Sequence, residues 1–95
     1  MKTEDHNCLY IPVEVRHCPN LQPNAKLLFG EIVSRANEKG EAIFQYDEIP
    51  EMFNVKKKAV YYWVDALERK GFIISKILRR RRIHYQAFKI LLKLP

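Results

Sequence analysis

Apolar residues in the first half of the chain recur with a helical period. Ala25, Leu28, Phe29, Ile32, Val33 and Ala36 fall at i, i+3, i+4, i+7, i+8 and i+11, one continuous stripe. Pro23 suits the first helical position, where a backbone N–H has no partner anyway, and Gly40 is placed to close the last turn. A second stripe, Val60, Trp63, Val64 and Leu67, predicts a helix from about Lys56 to Lys70, stopped by Gly71. Its opposite face collects Lys58, Tyr62, Asp65 and Arg69, with Lys57 and Tyr61 on the flanks. Between the stripes, Glu41 to Tyr46 has strand character. Asp47 then reads as the N-cap of a two-turn helix, with Glu48 in its first turn, Pro50 at its third position, and Ile49, Met52 and Phe53 on its apolar face. Asn54 and Val55 form the break: Asn tolerates the positive φ of a tight corner, and Val55 can plug it. After Gly71, Phe72–Leu78 and Ile83–Phe88 read as strands joined through Arg79-Arg80-Arg81-Arg82, a hairpin with a cationic tip.

The ends are less regular. Residues 1–9 read as a flexible polar leader, and residues 10–95 as one domain. Tyr10 to Val15 has strand composition, but Pro12 cannot donate to a ladder, so the segment is placed at a sheet edge or is merely extended. In the tail from Lys89 to Pro95, Lys89 and Lys93 are spaced as on a helix, whereas Ile90, Leu92 and Leu94 alternate as in a strand. Ile90, Leu91, Leu92 and Leu94 are too apolar to stay exposed, and are expected to cover the core or a twin subunit.

Composition narrows the class. The 95 residues are 47% hydrophobic and 29% charged, ordinary for a folded soluble chain, and no apolar run approaches the roughly 20 residues that cross a bilayer. The net charge of +6 is unevenly divided. Residues 1–54 carry five basic and nine acidic side chains, while residues 55–95 carry twelve basic and two acidic. A basic half is the footprint of a polyanion partner, with an anionic membrane or a merely solvated face as the other readings of charge alone. His6, Cys8, His17 and Cys18 have no common zinc spacing, and two cysteines make no disulfide framework. The chain is therefore expected to be reduced and cytoplasmic, with no metal and no cofactor. It has no glycine-rich phosphate loop and no nucleophile–base set, Asp65 and Glu68 have no evident partner carboxylate, and His84 reads as a strand surface residue. Enzymatic chemistry is not expected.

Helix, strand, short helix, tight corner, second long helix and hairpin make, in that order, a helix-turn-helix with a C-terminal wing. The expected fold class is α+β: three helices, a short strand and a two-stranded wing. Phe53-Asn54-Val55-Lys56-Lys57-Lys58-Ala59-Val60, continuing through Trp63-Val64 to Leu67-Glu68-Arg69-Lys70-Gly71-Phe72-Ile73, resembles the corner and recognition helix of bacterial winged helix-turn-helix proteins. Upstream, Ile11-Pro12, Leu21 and Lys26-Leu27-Leu28-Phe29-Gly30-Glu31-Ile32 resemble the helix-turn-helix domain of plasmid and phage replication initiators and replisome organisers, the whole resemblance covering about residues 10–85. It implies that the helix from Lys56 lies in the major groove of double-stranded DNA and that the arginine tip rests on backbone or minor groove. The candidate DNA-binding residues are Lys56, Lys57, Lys58, Tyr61, Tyr62, Arg69, Arg79, Arg80, Arg81 and Arg82.

The bottom-up chemistry agrees with that set. Lysines at a recognition-helix N-terminus reach base edges or phosphates. Tyrosines donate to phosphate and lay rings on sugar or a thymine methyl, and arginine suits phosphates or a narrow minor groove. The chain departs from the family at Lys56, where Ser or Thr usually caps the helix, and at Tyr61 and Tyr62, where small polar or basic readers are usual. The leading expectation is a DNA-binding protein in transcription control or in replication of a mobile element, with homodimerisation open. Paired tyrosines beside Trp63 also fit a protein-binding hot spot, so the alternative is an interaction module, inhibitor or recruiter, docking through Tyr61 and Tyr62. Stacking of single-stranded or structured RNA on those rings is a third reading.

Overall fold

The computed structural model describes residues 9–93, which form four helices and three strands: α1 (Val13–Arg16), α2 (Pro23–Arg35), β1 (Glu41–Gln45), α3 (Glu48–Phe53), α4 (Lys57–Arg69), β2 (Ile73–Arg80) and β3 (Ile83–Ile90). Both predicted stripes become core. Ala25, Leu28, Phe29 and Ile32 of α2 meet Val60, Trp63, Val64 and Leu67 of α4, all buried, and Phe44, Phe72, Ile73, Phe88 and Ile90 close the cluster from the sheet side. Three edge-on aromatic pairs lock the layers: Phe29 with Phe72, Phe44 with Phe88, and Phe53 with Trp63, at centroid distances of 6.2, 5.8 and 5.1 Å. Leu28 is fully buried, so its truncation to alanine is of the class that costs about 2–5 kcal/mol.

The sheet is antiparallel with strand order β1-β3-β2, so the last strand in sequence is the middle one. The predicted wing hairpin is present, and the short predicted strand joins it as a third strand. The tail resolves as strand as far as Ile90, which is buried, while Leu92 packs against the core and Leu91 is exposed. Leu94 and Pro95 lie outside the described residues, as do residues 1–8 of the expected leader. No helix among the described residues is long and apolar enough to cross a membrane.

Several local expectations need correction. The segment around Pro12 is not a strand: the Pro12 carbonyl accepts from the amides of Val15 and Arg16 (3.0 and 2.8 Å) and starts the one-turn helix α1, which buries Val15. Pro12 fits because the first turn of a helix needs no donor there. The α2 helix ends at Arg35, not at Gly40. Ala36 turns extended, and Gly40 (φ 76°) serves the turn into β1, where its carbonyl accepts from Ile90 N at 2.8 Å. Asp47 does precede α3, but its side chain makes no cap hydrogen bond. The break after α3 is as read: Asn54 sits in the left-handed region (φ 55°, ψ 50°) and Val55 packs against the core.

Candidate nucleic-acid interface

The corner between α3 and α4 fixes which side of α4 meets solvent. Asn54 reverses the chain, and the Val55 amide donates back to Pro50 O at 2.9 Å, so α4 leaves at a set angle. Trp63 is then held from the far side: its indole N–H donates to Gln22 Oε1 (3.0 Å), at the residue preceding α2. Arg35 of α2 braces α3 by a two-pronged hydrogen-bonded ion pair with Glu48, and its guanidinium also lies 4.1 Å over the Phe44 ring. The hydrogen bond to Arg35 is the main reason the Glu48 carboxyl titrates below its ordinary range, and the same bond raises the guanidinium. With its apolar stripe pinned, α4 presents Lys58, Tyr61, Tyr62 and Arg69 to solvent, and Lys57 at its start.

The cations on this surface are not equivalent. Lys57 Nζ pairs with Asp47 Oδ1 (2.9 Å) and lies 4.5 Å over the Tyr46 ring, and the bond to Asp47 raises its pKa. Arg69 Nε pairs with Asp65 Oδ2 (2.9 Å) one turn back on the same helix. Lys56, Lys58 and Arg79 to Arg82 take part in no ion pair among the described residues. Lys56 holds the N-cap position with no side-chain cap, so the first turn of α4 offers free N–H groups beside three lysines. That arrangement is unfavourable alone and favours an anion there. Tyr61 and Tyr62 are 64% and 54% exposed and meet edge-on at 5.7 Å, so they lie on the surface of α4 and not in the core.

The hairpin divides the arginine run. Arg79 and Arg80 belong to β2, paired with His84 and Ile83, and only Arg81 and Arg82 form the turn. Side chains alternate along a strand, so Arg79 faces the helix side of the sheet and Arg80 the opposite side. The expectation that all four arginines form one tip is thereby corrected. Arg79 continues the helix side outward. His84 stands opposite it, the Tyr46 amide donates to His84 O (3.0 Å), and the Tyr46 ring lies 6.1 Å from the imidazole. Lys57, Tyr46, His84 and Arg79 thus form a chain of neighbours from the start of α4 to the hairpin. Between α4 and the hairpin runs a groove of about 310 Å³, whose lining includes Tyr46, Lys57, Tyr61 and Ile77. Asp65 and Glu68 also line this groove, with Glu68 accepting from Ser75 N and Oγ (2.9 and 3.1 Å) and so tying α4 to β2.

Tyr46, Asp47, His84 and Gln22 were not among the residues read from sequence as belonging to the site or its support. Strand alternation was the available signal for the split of the arginines. Nothing local signalled that Asp47 would reach Lys57, because the contact crosses the corner.

A left-handed corner between α3 and α4, a recognition-type second helix and a C-terminal hairpin define a small α+β winged helix-turn-helix domain, a class of DNA-binding fold. The chain belongs to the helix-turn-helix domain family, whose match spans residues 20–73, from three residues before α2 to the first residue of β2. No curated protein and no solved structure matches it.

Proposed function

We propose that the protein binds double-stranded DNA, with α4 in the major groove and the hairpin turn on the adjoining backbone or minor groove, as a cytoplasmic transcription regulator or a replication-associated factor of a mobile element. The role is binding without turnover chemistry. The observation that carries the reading is the run Lys57–Tyr46–His84–Arg79, which joins α4 and the hairpin into one side of the molecule. A duplex resting there meets Lys56, Lys58, Tyr61 and Tyr62 from the helix, and Arg79, Arg81 and Arg82 from the hairpin. Arg80 points away, and Arg69 and Lys57 contribute less while their acids hold them. About five phosphate-neutralising cations give a log K versus log salt slope near −4.5. Titrating a labelled duplex across a salt series tests this. Millimolar binding at low salt, or a slope near zero, would sink it.

One observation favours a second reading. Two of the cations are paired with acids of the same chain, and the exposed large apolar side chains of α4 are the edge-paired Tyr61 and Tyr62, the composition of a protein-binding hot spot. Under that reading Tyr62→Ala abolishes association with a protein partner while weak DNA binding is unchanged. Binding of single strands in preference to duplex in direct competition marks the RNA or single-strand alternative.

A further inference from the structure

The face of the sheet turned away from the helices is apolar at its centre, and none of the described elements covers it. The register places Ile43, Ile74, Leu78, Ile83 and Ala87 on this face. Ile43, Ile74 and Ile83 are 43%, 54% and 46% exposed, which is far from the burial of Phe44, Ile73 and Phe88 on the other side. A shallow groove of about 350 Å³ runs over Ile43, Ile74 and Leu78. Charge stands beside these residues: Lys76 and Arg80 lie along the β2 edge, and Lys89 lies on the middle strand between Ile74 and Glu41, the one acid that the register places here, while Gln45 and Tyr85 share the row of Leu78.

We propose that this outer face docks an acidic amphipathic helix of a partner protein. Shape and chemistry both bear on the choice. Three strands about 4.8 Å apart make a strip about as wide as a helix of ~10 Å diameter, and such a helix lays one apolar stripe along it. Three cations standing beside apolar positions, with one acid, complement acids flanking an apolar stripe. A second copy of this chain is a poor occupant, because a two-fold pairing sets a face with three cations and one acid against an identical face. Duplex DNA is a poor one too, since its phosphates would rest on isoleucine rather than on a continuous row of cations. The face lies on the far side of the sheet from Tyr46, His84 and Arg79, so the partner helix and a duplex can be held together.

The test uses the full chain, isotopically labelled, and a synthetic peptide of about 18 residues, five helical turns, with leucines on one face flanked by glutamates. Its counterpart carries lysines in place of the glutamates. The expected result is saturable amide shifts at Ile43, Ile74, Leu78 and Ala87 with the acidic peptide, and binding at least about tenfold weaker with the basic one. Ile43→Ser/Ile74→Ser should lose the interaction, and Lys76→Glu should weaken it. All these side chains are exposed, and an unchanged thermal midpoint verifies that the variants fold. Equal binding of both peptides, shifts centred on Tyr61 and Tyr62, absence of saturable binding, or a dimer that Ile43→Ser/Ile74→Ser dissociates would each overturn the proposal.

Discussion

The hairpin turn offers a perturbation that separates stability from binding. Arg81 and Arg82 have φ of 51° and 71°, both in the left-handed region, joining paired residues Arg80 and Ile83. Two consecutive positive φ values are the signature of a type I′ turn, which favours Asn-Gly. For ordinary residues this backbone costs roughly 1–2 kcal/mol each. Arg81→Asn/Arg82→Gly removes much of that strain, while Gly returns roughly 0.5–1 kcal/mol as unfolded-state entropy. The exchange also relieves repulsion within a run of four cations. A net gain of about 1 kcal/mol raises Tm by about 4–8 °C in a domain of this size. The same exchange removes two phosphate-neutralising groups, so the salt slope should flatten by about 1.8. Differential scanning calorimetry and fluorescence anisotropy across a salt series measure the two effects on one preparation. A Tm that falls refutes the account of the turn, and an unchanged slope refutes the placement of Arg81 and Arg82 on phosphate.

Three further outcomes are expected. Gln22→Ala strands the indole N–H of the buried Trp63 and should cost about 1–3 kcal/mol, seen as a lower denaturant midpoint with altered tryptophan fluorescence. Because Arg35 depresses the Glu48 carboxyl in the folded state, that pair's contribution is complete above the ordinary glutamate pKa and is lost as pH falls through the lower folded value. Both side chains are a third or more exposed, so the effect is about 0.5 kcal/mol, and Glu48→Gln should reduce stability at pH 7 while leaving it unchanged at pH 2. Asp47→Asn frees Lys57 and should tighten duplex binding, steepening the salt slope by about 0.9, whereas Lys57→Ala in that background returns it.

Legibility followed sequence distance. The stripes of α2 and α4, the Asn54 corner and the existence of the hairpin depend on neighbours within a few positions, and all were readable from the chain. The helix at Val13–Arg16 was not, because four residues carry too little periodicity to outweigh β-branched composition, and Pro12 reads as a strand edge or a helix start equally well. The partnership of β1 with β3 joins residues 40 to 48 apart, from Gln45 with Tyr85 to Glu41 with Lys89, with no loop signal to announce it. The start of the second strand at Ile83 was read, but the turn was hidden by its residues: arginine at both left-handed positions gave no hint that β2 runs on to Arg80. The charge split placed the basic residues in the C-terminal part, but could not show that Asp47 and Asp65 pair with two of them.

The middle position of β3 has a consequence for biosynthesis. β1 emerges from the ribosome after α2 but before α4 and the hairpin, and among the described strands it pairs with β3 alone. A nascent chain halted before residue 83 therefore carries two orphan strands, and the tertiary structure can lock only when the final ribbon slots between them, as a keystone completes an arch.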